Sequence, residues 1–113
     1  MTIRYKNQGI NLTSTGTESV FTAPSDATVL IKQIQVNNGS TGAVNLSVQV
    51  TDTSATATFR IFNQSLTASS TTDIINNTLA LEAGDILKMT AGTANELQGI
   101  ISYALLDRSQ ENG

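Results

Sequence analysis

From Ala43 to Thr51 apolar and polar residues alternate without a break, with Val44, Leu46, Val48 and Val50 in one phase and Asn45, Ser47, Gln49 and Thr51 in the other. Successive side chains of an extended chain point to opposite faces, so this run reads as a strand with one face in a core and one in water. Elsewhere apolar residues also recur at two-residue spacing, in short runs separated by Gly, Asn, Asp and Ser, and no segment has the 3.6-residue period of an amphipathic helix. Thr, Ser and Asn make up about a third of the chain, which favours strands and turns over helix. The expected fold is all-β: one antiparallel β-sandwich, jelly-roll or immunoglobulin-like, of about eight strands. It fills residues 1–113 as one domain, with an N-terminal arm at 1–8 and a flexible tail at 108–113.

Further strands are expected at 10–14, 18–22, 28–37, 56–64, 72–76, 79–81, 85–90 and 97–107. In the 28–37 run, Val29 and Ile31 lie in one phase but Leu30, Ile34 and Val36 in the other. A bulge or bend near Lys32-Gln33, or cover on both faces, reconciles them. Asn37-Asn38-Gly39-Ser40-Thr41-Gly42 tolerates positive φ and predicts an antiparallel hairpin between the runs on either side. Pro24 marks a turn, and Gly84 with Asp85 predicts another, glycine at positive φ and the carboxylate capping backbone N–H groups. The last run has two apolar phases, Leu97, Ile101, Tyr103 and Leu105 in one and Ile100, Ala104 and Leu106 in the other. Either it is a central strand partly covered by a loop, or its surplus phase is a subunit interface.

The residues for most chemistry are missing. Histidine and cysteine are absent, which removes the commonest general base, the thiolate nucleophile, the usual zinc ligands and any disulfide. The local carboxylate pair Glu82 and Asp85 reads better as turn chemistry than as a glycosidase pair, and Asp26 and Asp52 lack the density of a calcium loop. No catalytic residue, cofactor or metal is expected. The net charge is −3, with Arg4, Lys6, Lys32, Arg60, Lys88 and Arg108 scattered and aromatic residues at 4%, so nucleic acid is not an expected partner. Nor is a membrane, since no apolar run reaches spanning length and no signal-peptide core is present. Arg4-Tyr5-Lys6 brings two basic residues together near the N-terminus, as an arm for an acidic neighbour or as an edge strand blunted by charge. The candidate interface is Arg4, Tyr5, Lys6, Ile100, Ala104 and Leu106.

Four segments carry a resemblance: Thr28-Val29-Leu30-Ile31-Lys32-Gln33-Ile34-Gln35-Val36-Asn37-Asn38, the Val44-to-Asp52 strand, Leu81-Glu82-Ala83-Gly84-Asp85-Ile86-Leu87-Lys88, and Ile100-Ile101-Ser102-Tyr103. In this order they resemble small structural proteins of tailed phages, especially those infecting cyanobacteria and other marine bacteria. The resemblance implies a virion protein made in the host cytoplasm, a decoration or cement protein that stabilises the head by binding between major capsid subunits. A neck, tail or fibre-associated protein is the alternative within the virion. A carbohydrate- or receptor-binding module is a third reading, weakened by the absence of Trp. The implied partners are further copies of the chain, in a homo-oligomer such as a trimer, and major capsid or other virion proteins. The isolated chain should give a β-type circular dichroism spectrum; helix in about a third of the residues, the ordinary globular share, would contradict the fold.

Overall fold

The computed structural model describes residues 2–75 and 77–107. Along these residues run nine strands and no helix: β1 (Thr2–Leu12), β2 (Thr17–Thr22), β3 (Ala27–Asn38), β4 (Val44–Asp52), β5 (Ala57–Leu66), β6 (Ser70–Asp73), β7 (Leu79–Leu81), β8 (Ile86–Ala91) and β9 (Leu97–Asp107). They form two antiparallel sheets, one ordered β1-β9-β3-β6 with β7 also on β3, the other ordered β2-β8-β4-β5. Because β6 pairs with Gln35–Asn38 and β7 with Val29–Ile31, the two are halves of one interrupted strand position. Each sheet therefore has four positions, and the chain crosses between sheets to fill them in the order of a jelly roll. An immunoglobulin-like sandwich would place its first two strands side by side; here β1 pairs with β9 and β2 with β8.

The alternation in the sequence becomes the core. Val44, Leu46, Val48 and Val50 are buried, as are Val29, Ile31, Ile34 and Val36 of β3, Leu87 and Met89 of β8, and Leu97 and Ile101 of β9. The phase change in β3 is a bulge: its register against β9 shifts between Ile31 and Gln33, so both halves of the strand turn their apolar residues inward while Lys32 stays exposed. Core aromatics are few, and one pair, Phe21 and Tyr103, meets edge to face across the two sheets at 4.7 Å. At Gly99 a side chain is excluded, since a Cβ there would fall on the carbonyl oxygen of Gln35.

The expected hairpin does not form. β3 and β4 lie in different sheets, and residues 39–43 cross between them. Gly84 alone among the described glycines has positive φ, so this connection does not use the conformation on which the hairpin reading rested. Asn38, fully buried, anchors the crossing: its Nδ2 donates to the carbonyl oxygens of Gly42 and Leu66, each at 3.1 Å, and its Oδ1 accepts from Ser40 N at 2.9 Å. A polar side chain so engaged satisfies backbone groups that a sheet-to-sheet connection would otherwise leave unpaired. The arm expected at 1–8 is likewise part of the sheet, residues 2–8 pairing with β9 from Asp107 to Ile101. Its physical reason is that β9, paired with β3 along one edge, has a second row of backbone N–H and C=O groups along the other, which β1 satisfies. The tail expected at 108–113 lies outside the described residues.

Truncating the two faces of β4 should have unequal effects. Leu46→Ala, which opens a cavity at a fully buried position, should cost about 2–5 kcal/mol in urea unfolding, while Gln49→Ala on the outer face should stay within about 0.5.

Candidate interaction surfaces

The described carboxylates that come together do so as loop clamps. Asp85, buried, accepts from Glu82 N at 2.9 Å, Thr53 N at 3.1 Å and Thr53 Oγ1 at 3.2 Å, tying the β7–β8 turn to the β4–β5 turn. Gly84 sits in that turn at φ 84°, as its sequence context predicts. Asp52 Oδ1 accepts from Ser54 Oγ at 2.8 Å, Ser54 N at 3.1 Å and Ala55 N at 3.2 Å. These bonds, the Ser54 hydroxyl foremost, hold the Asp52 carboxyl below the ordinary carboxylate range. Asp52, Glu82 and Asp85 offer oxygens within 4.8 Å of one another, and the three protein donors on Asp85 explain the arrangement by the turns it closes. Asp26 lies apart, in the turn where Ala27 N donates to Pro24 O at 3.3 Å.

The surfaces with something to bind are apolar. β9 lies between β1 and β3, and the registers define cross-strand rows on the outer face of this sheet: Ile3, Leu106 and Thr28 in one, Tyr5, Ala104 and Leu30 in the next, Gly9, Ile100 and Gln35 further along. Ile3, Tyr5 and Ile100 are 56%, 79% and 39% exposed, and Leu30 and Leu106 are half-buried. Ala104, at 3%, lies between the larger Tyr5 and Leu30 of its row and forms the floor of the face. Of the six interface residues expected from the sequence, Tyr5, Ile100, Ala104 and Leu106 thus share this outer face.

Arg4 and Lys6 do not. Strand alternation turns them to the phase of Ile10 and Leu12, toward the opposite sheet, although both remain exposed because the six-residue β2 leaves this part of β1 uncovered. Arg4 Nη2 pairs with Asp107 Oδ2 at 3.1 Å. Charges directed inward from an edge strand discourage pairing with another strand, so the edge-strand reading of Arg4-Tyr5-Lys6 describes their placement. Between β1 and β2 the sandwich opens into a cleft of about 330 Å³, lined by Lys6, Val20, Phe21, Pro24, Tyr103 and Leu105 among others.

Two further features escaped the sequence reading. Phe59 and Ile61 of β5 are 52% and 41% exposed on the edge opposite β1 and β2. Their signal was present in Phe59-Arg60-Ile61-Phe62, where apolar residues occupy both phases of an expected strand. The register of β5 against β4 shifts between Val48 and Gln49, which carries Ile61 out of the ladder. The outer face of the β2-β8-β4-β5 sheet is largely polar, with side-chain bonds between Thr17 and Thr90 at 2.8 Å, Asn45 and Asn63 at 3.2 Å, and Thr51 and Thr58 at 2.9 Å.

No known protein family matches the chain, and no curated protein does. Solved structures match its fold. A chain from the acidic stable capsid structure of Helicobacter pylori bacteriophage KHP30 superposes with a TM-score of 0.58 at 12% identity, covering 96% of this chain and 90% of that one. A chain from the Bacillus endospore appendages, a family of disulfide-linked pili, gives 0.53 at 12% identity, with 95% and 88% covered. A pentameric capsid protein from metagenomic phage sequences gives 0.45 at 17% identity, with 93% and 70% covered. A chain from a phage capsid and one from a pilus are thus among the structural neighbours, and at these identities the likeness is one of fold. Asp85→Ala, which strips acceptors from the Glu82 and Thr53 N–H groups, should cost roughly 1.5–3 kcal/mol in thermal or urea unfolding.

Proposed function

We propose that this chain is a non-enzymatic structural protein of a phage virion, a decoration or cement subunit that lies on the capsid where major capsid subunits meet. The observation that carries this reading is the contrast between the two outer faces of the sandwich. The β1-β9-β3 face presents Ile3, Tyr5, Leu30, Ile100 and Leu106 among polar residues such as Asn7, Gln35 and Ser102, while the β2-β8-β4-β5 face presents mostly Thr, Ser, Asn and Gln. An antiparallel sheet facing water on its outer side shows a polar surface, as the second does. Ile3, Tyr5, Leu30 and Leu106 form one patch around Ala104, with Ile100 beyond the Asn7–Ser102 row, and an exposed apolar patch is characteristic of a docking surface. One apolar face and one polar face suit a subunit laid flat on a shell, with its outer side in solvent.

Composition and fold agree with this reading. Without histidine or cysteine the chain lacks the side chains of most catalytic and metal centres. The neighbours with the higher TM-scores come from a capsid and a pilus, both assemblies. Having no cysteine, this chain would assemble through buried surface rather than disulfides.

An electron-microscopy map of the virion carrying this chain tests the proposal. The expected density is a jelly roll on the outside of the shell, between major capsid subunits, with the β1-β9-β3 face inward. Ile100→Asp with Leu106→Asp should weaken retention on particles at least about tenfold, by burying unpaired charge, without changing the circular dichroism of the free chain. Density in the tail or within the shell wall, or unchanged retention of the double variant, would overturn it.

A further inference from the structure

The two lateral edges of the molecule differ in shape and in charge. At one edge β1 and β2 part around the cleft of about 330 Å³ whose lining includes Val20, Phe21, Pro24, Tyr103 and Leu105. At the other, Phe59 of β5 stands on the same face as its partner Val50, at a margin of the sandwich that leaves it 52% exposed, with Ile61 beside it at 41%. The cleft is open to solvent and also lined by Gln8 and Thr22, and its volume exceeds the cavity of about 150 Å³ that admits a benzene ring, so a phenylalanine side chain fits by size.

The registers put knob and hole at one height. Phe59 pairs with Val50, Val50 with Leu87, and Leu87 with Phe21, so Phe59 and the cleft residue Phe21 stand at opposite ends of a single cross-strand row. A second copy rotated about an axis parallel to the strands, with no slide along them, therefore meets the cleft with its Phe59. Charge follows the same geometry. Lys6 lines the cleft and takes part in no ion pair among the described residues. Beside Phe59, Asp52 is paired with Ala57, and its carboxylate lies within 4.8 Å of that of Glu82. A lysine accompanies the hole; the knob has a carboxylate pair beside it, with the exposed Arg60 on the opposite face of β5, directed away from the core side on which Phe59 stands.

Strand addition is disfavoured at β1 by the inward-directed Arg4 and Lys6 and at β5 by its bulge, so the contact considered between these two strands is side-chain insertion. We infer that copies of this chain associate head to tail, Phe59 of one entering the β1–β2 cleft of the next while Asp52 and Glu82 face its Lys6. A contact between two different patches generates a ring where the rotation closes, and a ring built this way leaves the β1-β9-β3 outer face free. The inference rests on the free chain's geometry and not on the virion reading, so its test requires no particle.

Sedimentation velocity of the purified chain should show a closed oligomer of three or more copies. Phe59→Asp on one edge and Val20→Arg on the other should each give monomers with unchanged circular dichroism. Mixed one to one, these two variants should form a heterodimer, because the Val20→Arg chain keeps an intact knob and the Phe59→Asp chain an intact cleft. Lys6→Glu should weaken association at least about tenfold, the order of a lost interfacial charge pair, and Lys6→Glu combined with Glu82→Lys should restore most of it. Should either edge variant fail to fold, the charge reversal and its rescue decide alone. A wild-type chain that stays monomeric at about 1 mM overturns the proposal. So does an oligomer indifferent to Phe59→Asp, or one that Val20→Arg leaves intact.

Discussion

The insertion of β9 between β1 and β3 is the constraint on which the rest of this molecule depends. Eleven residue pairs join β9 to β1, from Thr2 with Asp107 to Leu12 with Leu97, and a similar ladder joins it to β3. This sheet cannot be completed until the end of the described chain has entered between strands laid down near its beginning. Pairings so distant in sequence must recover a large loop-closure entropy, so the aliphatic core and the three-strand ladder have to form cooperatively. Gly99 reflects how tight the insertion is: β3 approaches at that point closely enough that no side chain fits.

The placement of β9 also shapes the surface. As a central strand it sends Leu97, Ile101, Tyr103 and Leu105 into the core, and its other phase becomes the outer face of the sheet, where Ile100 and Leu106 stand in rows with residues of β1 and β3. β1 is thereby left at the edge, extending past the short β2, and this overhang opens the cleft beside Lys6. The same β-sandwich economy that buries one face of each strand thus produces an apolar outer face, a polar outer face and two dissimilar edges. What these surfaces carry is shape and apolar area, the means by which subunits recognise one another.

Buried polar groups mark two of the places where the chain changes sheet. Asn38 secures the passage from β3 to β4 and reaches the carbonyl of Leu66 at the end of β5, while Asp85 secures the turn before β8 and holds the β4–β5 turn beside it. Both side chains are buried and bonded to backbone groups of segments distant in sequence. Such contacts supply the specificity that aliphatic packing lacks, since a buried polar group is costly in any arrangement that leaves it unpaired.

What the sequence determined by itself was local. Period-two alternation placed a strand over 43–51, observed as Val44–Asp52, and strands over 79–81 and 97–107, observed with those bounds. The phase change in β3 announced its bulge, and Gly84-Asp85 announced its turn. These features follow from the geometry of an extended chain and the steric freedom of glycine, which act over a few residues. Tertiary structure alone decided the partner of each strand. The alternation in β3 and β4 is equally satisfied by a hairpin and by strands facing one another across a core, because either arrangement buries one face of each; the choice was settled by β9 and β8, which occupy the neighbouring positions. The candidate surfaces divide in the same way. The surplus apolar phase of β9 was legible as a count of residues, whereas Arg4 and Lys6 could be separated from Tyr5, and Phe59 set opposite the cleft, only once the strands had been assigned to sheets and edges.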